Sequence, residues 1–191
     1  MSTRVVVLPP VPALLPGYLG HADPVADLRN ACRDAVAWLV DGASVVTVLA
    51  DPPDEAARRR GVEVALGVRV ARSLLDEAKY DREIDLTGPA EGADRLLVLA
   101  NGSACRSEKA PGHLDPRSFP FDERIEAALA AGDPAGLAGL DAALGRDLLA
   151  AGIEPLRLVG ALGLDVEAAD LRYAADPYGV RYWVSTWQCR P

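Results

Sequence analysis

Hydrophobic positions along this chain follow two alternating patterns: short unbroken apolar runs, and longer stretches in which apolar residues recur every three or four positions. Arg4–Leu8 is a β-branched run stopped by Pro9, Pro10 and Pro12, which cannot donate to a sheet ladder, and it predicts a first buried strand. A proline-rich loop follows through Gly20 and His21. Asp23 before Pro24 is then the pattern of a helix cap with proline at the first helical position. From there Val25, Leu28, Cys32, Ala35, Val36, Leu39 and Val40 recur at helical spacing, which puts Cys32 on the core face as a small buried hydrophobe.

Residues 44–50 form the second apolar run, and 51–60, DPPDEAARRR, read as a surface connection whose arginine triplet is a solvated face. Val62, Leu66, Val70 and Leu74 step by four residues and predict an amphipathic helix reaching about Ala78. A polar linker leads to the third run, 95–100. The order strand, helix, strand, helix, strand predicts parallel pairing with helical crossovers. Further on, Phe121, Ile125 and Leu129 mark a short helix ending near Gly132, and Asp133-Pro134 opens another with Leu137, Leu140, Leu144 and Leu148 in register. Residues 155–162 lean helical. Residues 170–174, the turn Asp176-Pro177-Tyr178-Gly179, and 180–187 read as a terminal hairpin, with Tyr182 and Val180 on one face and Trp183 and Arg181 on the other. The predicted architecture is α/β: three αβα layers, a mainly parallel central sheet and a C-terminal β-hairpin.

Length and composition narrow the class. With 191 residues, half of them hydrophobic and a quarter charged, the chain reads as one globular domain over 1–191. Its net charge of -8 argues against nucleic acid as a partner, because neutralising phosphates needs clustered cations. The cationic residues are nearly all arginine and alanine is abundant, which matches a GC-rich bacterial coding bias. The N-terminal apolar stretch is cut by prolines and no run approaches about 20 apolar residues, so the sequence predicts a cytoplasmic protein with no membrane partner. Three cysteines at long spacing suggest neither a disulfide framework nor a zinc ribbon.

Residues 95–117, RLLVLANGSACRSEKAPGHLDPR, are the predicted centre of function: a buried strand that breaks into a polar loop holding Cys105 and His113. Ligands in open α/β sheets bind at the carboxyl ends of strands, where such loops lie. Asn101, Gly102 and Ser103 are cofactor-binding candidates as a nest for an anion, or else a tight strand exit. Cys105 and His113 are catalytic candidates, with Arg106 and Lys109 placed to lower the thiol pKa. Asp115-Pro116-Arg117 is either a carboxylate clamp or, the favoured reading, a turn fixing the next helix. Tyr178, Tyr182, Trp183 and Trp187 read as a packed hairpin, with a ligand wall or subunit contact second.

Three stretches carry a family resemblance: LPPVPALLPGYLG at 8–20, NGSACRSEKAPGHLDPRSFPFDERI at 101–125 and YAADPYGVRYWVSTW at 173–187. In order and spacing they make the chain similar to the LigB-like group, relatives of the catalytic subunit of class III extradiol ring-cleavage dioxygenases, in its small actinobacterial branch. The resemblance implies an αβα core and, for active members, a non-haem Fe(II) held by two His and one carboxylate, with open positions for catechol and dioxygen.

This chain departs from that pattern at both histidines. The family's His-Pro-Pro element after strand one corresponds to Pro9-Pro10-Val11-Pro12, and its Ser-His-Arg element aligns with Ala104-Cys105-Arg106. Only His21 and His113 remain. The resemblance therefore implies a homologue that does not cleave rings and binds a small molecule or a partner. Two alternatives stay open. One is an oxidoreductase or hydrolase with a rebuilt site at His21, Cys105 and His113, whose thiolate suits Zn or Cu better than Fe; the MEMO-like branch uses two His and one Cys. The other is a non-catalytic subunit in a homo- or hetero-oligomer.

Overall fold

The computed structural model describes residues 2–18, 23–86 and 88–190. Among the described residues six strands form one sheet: β1 (Arg4–Leu8), β2 (Val45–Leu49), β3 (Glu83–Asp85), β4 (Arg95–Leu99), β5 (Val166–Ala175) and β6 (Tyr182–Cys189), in the order β3-β2-β4-β1-β6-β5. The first four pair in parallel, and β6 runs antiparallel to both β1 and β5. The mainly parallel α/β sheet with its C-terminal hairpin is thus the architecture the apolar pattern predicts.

Strand alternation builds two cores. Val6, Leu8, Leu97, Leu99, Val46 and Val48 face α1 (Ala26–Val40) and α3 (Leu66–Glu77), whereas Val5, Val7, Leu96 and Val98 face α4 (Ser118–Ala131), α5 (Pro134–Ala138) and α7 (Ile153–Ala161). Helices on both faces explain why β1 and β4 are apolar without interruption. The hairpin joins both cores: Tyr182 and Val184 pack with the first, Trp183 and Trp187 with the second. Cys32 is fully buried on α1, as its helical register requires.

Several boundaries differ from the pattern. The DPPDEAARRR connection contains a helix of its own, α2 (Glu55–Arg59), because the Asp54 carboxylate accepts the Ala57 N–H and caps it. The next helix starts at Leu66 instead of Val62, leaving Val62 and Val64 exposed. The register through Leu148 is interrupted at residues 139–141, where Asp141 caps a separate short helix, α6 (Ala142–Asp147), through the N–H groups of Ala143 and Leu144. Strand β3 is three residues long and polar, too short for a period to register. Among the described residues no helix is long and apolar enough to cross a membrane.

Candidate ligand-binding cleft

The loop after β4 is a packed element. Each backbone donor of the supposed nest is already used: Asn101 N–H donates to the Ala151 carbonyl at 3.0 Å, Gly102 to Arg181 at 2.8 Å, and Ser103 to the Asp122 carboxylate at 2.8 Å. Asn101, Gly102 and Ser103 are all buried. The anion nest is therefore corrected to the tight strand exit, since no N–H is left for a ligand. Gly102 is required there by crowding, for a Cβ would lie 2.5 Å from Asp122 Oδ1 and 2.6 Å from Trp183.

Charged groups lock this exit to its surroundings. Asp122, 1% exposed, accepts from Ser103 Oγ at 2.6 Å and from Arg106 Nη1 at 3.0 Å, and Arg106 Nε reaches Asp176 on the hairpin turn at 2.7 Å. Burial pushes the Asp122 carboxyl above its usual range and outweighs the donors around it. Glu126 on α4 takes both the Arg181 guanidinium and the Trp183 indole N–H, and its carboxyl sits below the usual value: burial, the largest single influence, raises it, but the two donors and their charge together prevail.

Cys105 and His113 are near along the backbone, for Gly112 N–H donates to the Ala104 carbonyl, but their side chains go to different environments. The Cys105 thiol, in a residue 3% exposed, turns into the α4 and α7 core and lies 3.4 Å from the Leu148 carbonyl. Burial raises its pKa, followed by the charges of Asp115 and Asp122. The expected lowering by Arg106 and Lys109 is thus reversed, because Arg106 is committed to Asp122 and Asp176. The His113 imidazole is exposed, with Nδ1 2.8 Å from the Glu108 carbonyl oxygen and Nε2 3.2 Å from its carboxylate. His21 lies outside the described residues. Among those described, no three His, Cys, Asp or Glu side chains are grouped to hold a metal ion. Asp115 and Arg117 form the turn: Arg117 N–H donates to Asp115 Oδ1 at 2.9 Å and the two side chains pair at 2.8 Å at the start of α4.

An open cleft lies next door, at the carboxyl ends of β1, β2 and β4, and a second opening of about 540 Å³ lies between Arg106, Ser107 and Lys109 of the loop and the hairpin turn. The cleft, of about 560 Å³, is walled by Pro10, Pro12, Leu15 and Tyr18 after β1, by Ala50 to Asp54 after β2, by Leu99 of β4 and by the start of α3. Its size is that of a site for a small organic molecule. Cys105 and His113 are not among its walls.

Local chemistry shapes each wall. The loop after β1 is tied down by Arg29 of α1, a residue 3% exposed, whose guanidinium donates to the carbonyls of Leu14 at 2.9 Å and Ala13 at 2.5 Å and to Asp23 at 2.7 Å. That clamp sets the loop carrying Leu15 and Tyr18. Asp51, at the exit of β2, accepts the Gly152 N–H at 2.6 Å and so links β2 to the start of α7. Gly67, in the first turn of α3, allows the helix to approach the sheet: a Cβ there would meet Ala50 and Leu99 at 3.0 and 3.1 Å.

The sequence marks Leu66 only as a core position of a helix, and it gives Arg29, Gly67 and Arg69 no site role. Asp51 has a readable signal, because it directly follows a buried strand; the meeting of the others at one cleft depends on β4 being inserted between β1 and β2. Comparison with protein-family models and with curated proteins gives no match for this chain.

Proposed function

We propose that this chain is a LigB-like α/β protein of the bacterial cytoplasm that binds a small molecule in the cleft at the carboxyl ends of β1, β2 and β4 and does not cleave aromatic rings. The observation that carries the reading is the cleft itself, walled by the proline loop in which the resembled family places its first ligand His. The proline that stands in the His position of the run Pro9-Pro10-Val11-Pro12 has no side-chain lone pair to offer a metal, and Cys105, aligned with the second His, faces the core. The residues present do not fit the family's Fe(II) centre.

The test is metal analysis of the purified protein, its Cys105→Ala and His113→Ala variants, and a catechol ring-cleavage assay. The reading expects no stoichiometric metal that depends on either residue and no ring-opened product. Stoichiometric Fe, Zn or Cu that is lost in either variant would support the rebuilt Cys/His site in its place.

A further inference from the structure

The charges of the cleft cancel, and their placement changes with depth. Among the described residues its walls carry two carboxylates, Asp51 and Asp54, and two guanidiniums, Arg60 and Arg69, so the lining has no formal net charge. Asp54, Arg60 and Arg69 are exposed at the rim, whereas Leu15, Ala65, Gly67 and Leu99 are buried at the floor. Tyr18 and Val62 add exposed apolar surface at the mouth. Of the charged groups, Asp51 alone is partly buried. Its Oδ2 accepts the Gly152 N–H at 2.6 Å, and Gly152 is the residue that opens α7, so the end of that helix already answers part of the negative charge. Asp51 Oδ1 has no protein donor among the described residues.

We infer that the cleft selects an uncharged molecule with an apolar body and a hydrogen-bond donor, a hydroxyl or amide N–H, that reaches Asp51 Oδ1. This inference rests on the proposed small-molecule cleft and specifies its occupant. A ligand of either charge gives up hydration against the apolar floor, and a lining with no net charge does not compensate for it. An anion also meets the carboxylate of Asp51. A cation gains little from that carboxylate, because the α7 end already answers it in part and Arg60 and Arg69 stand at the rim. A neutral donor avoids both penalties and satisfies the acceptor that an apolar occupant would leave dry. The floor and the mouth take the apolar body.

The experiment is an amide NMR titration of the isotopically labelled wild type and Asp51→Asn with cyclohexanol, cyclohexanone, cyclohexylamine, which is protonated at neutral pH, and cyclohexanecarboxylate. The Gly152 N–H needs an oxygen from residue 51, so the Asp51→Asn amide turns its carbonyl to Gly152 and puts its NH2 in the place of Oδ1. The inference expects cyclohexanol to bind the wild type most tightly, about tenfold more tightly than cyclohexanone, with shifts at Asp51, Gly67, Leu99 and Ala151. In Asp51→Asn the advantage of alcohol over ketone falls to about twofold or less, whereas a purely structural defect weakens both probes alike. Equal affinity of alcohol and ketone for the wild type, tightest binding of the ammonium or the carboxylate, or an alcohol advantage that survives Asp51→Asn overturns the inference and leaves the small-molecule cleft standing. Shifts gathered at Ala142 and Arg146, in the smaller opening that Asp51 also borders, overturn the location. Silence of the cleft towards every probe overturns the inference together with the small-molecule reading. The same spectra show whether Asp51→Asn is folded; if it is not, the wild-type ratio of alcohol to ketone decides.

Discussion

Replacing Arg29 with alanine tests how the cleft is held in shape. The Arg29 guanidinium is buried on α1 and answers the Ala13 and Leu14 carbonyls and the Asp23 carboxylate. Removing it leaves two loop carbonyls without their donor, at about 1–3 kcal/mol for each that stays buried, and also removes packed methylenes. Together these give about 3–5 kcal/mol, the range for breaking a buried charged pair on one side. A domain of this kind is stable by about 5–15 kcal/mol, so the variant folds but is visibly weakened. With a urea slope near 2 kcal/mol/M, the unfolding midpoint falls by about 2 M, read from the fluorescence of Trp183 and Trp187, both buried in the core. Arg29→Lys keeps the charge but loses the fork and gives an intermediate value.

The pH dependence has a fixed sign. The Arg29 guanidinium, by hydrogen bond first, holds the Asp23 carboxyl below its ordinary value of 3.8. A depressed folded-state pKa contributes stability that is present above 3.8 and is lost as pH falls through the folded value. The stability gap between wild type and Arg29→Ala therefore narrows on acidification below that value. A loss under about 1 kcal/mol, or a gap that widens in acid, refutes the clamp.

Other substitutions probe separate parts of the account. Asp122→Asn removes a carboxyl whose pKa is raised by burial, so the advantage of wild type over the variant grows as pH is lowered towards the ordinary carboxylate range, as urea titrations at several pH values will show. Gly152→Ala, at φ +75° with a Cβ 2.1 Å from the Leu99 carbonyl oxygen, costs more than about 2 kcal/mol by the same assay. Native iodoacetamide labelling at mildly alkaline pH will be slow for all three thiols, because burial raises Cys32 to about 12, Cys189 to about 11 and Cys105 above its usual value; rapid labelling of Cys105 would contradict its packed position.

How much of this was legible in the sequence follows from what each pattern encodes. Strands buried on both faces announce themselves as apolar runs, so β1, β2 and β4 stand out, and the aromatic alternation at Tyr182 and Trp183 assigns the two hairpin faces. Elements fixed by one side chain are harder to see. The cap Asp54 makes a helix of DEAARR, and Asp141 breaks a leucine register that otherwise runs through. The cleft was least legible because it depends on strand order. Only with β4 between β1 and β2 do the exits of β1 and β2 and the start of α3 enclose one space, while the Cys105 loop, polar by composition, is consumed by contacts to Asp122, Arg181 and Ala151. Polar residues after a strand mark a loop; they do not tell whether its donors are free.

The most direct measurement is an amide chemical-shift map of the isotopically labelled protein against a small-fragment library. Binding fragments are expected to perturb Ala50 and Asp51 after β2, Leu99 of β4, Leu66 and Gly67 at the start of α3, and Ala151 before α7, all of which line the cleft. Perturbations gathered on residues 104–113, with the cleft silent, would contradict this and return the site to the loop after β4.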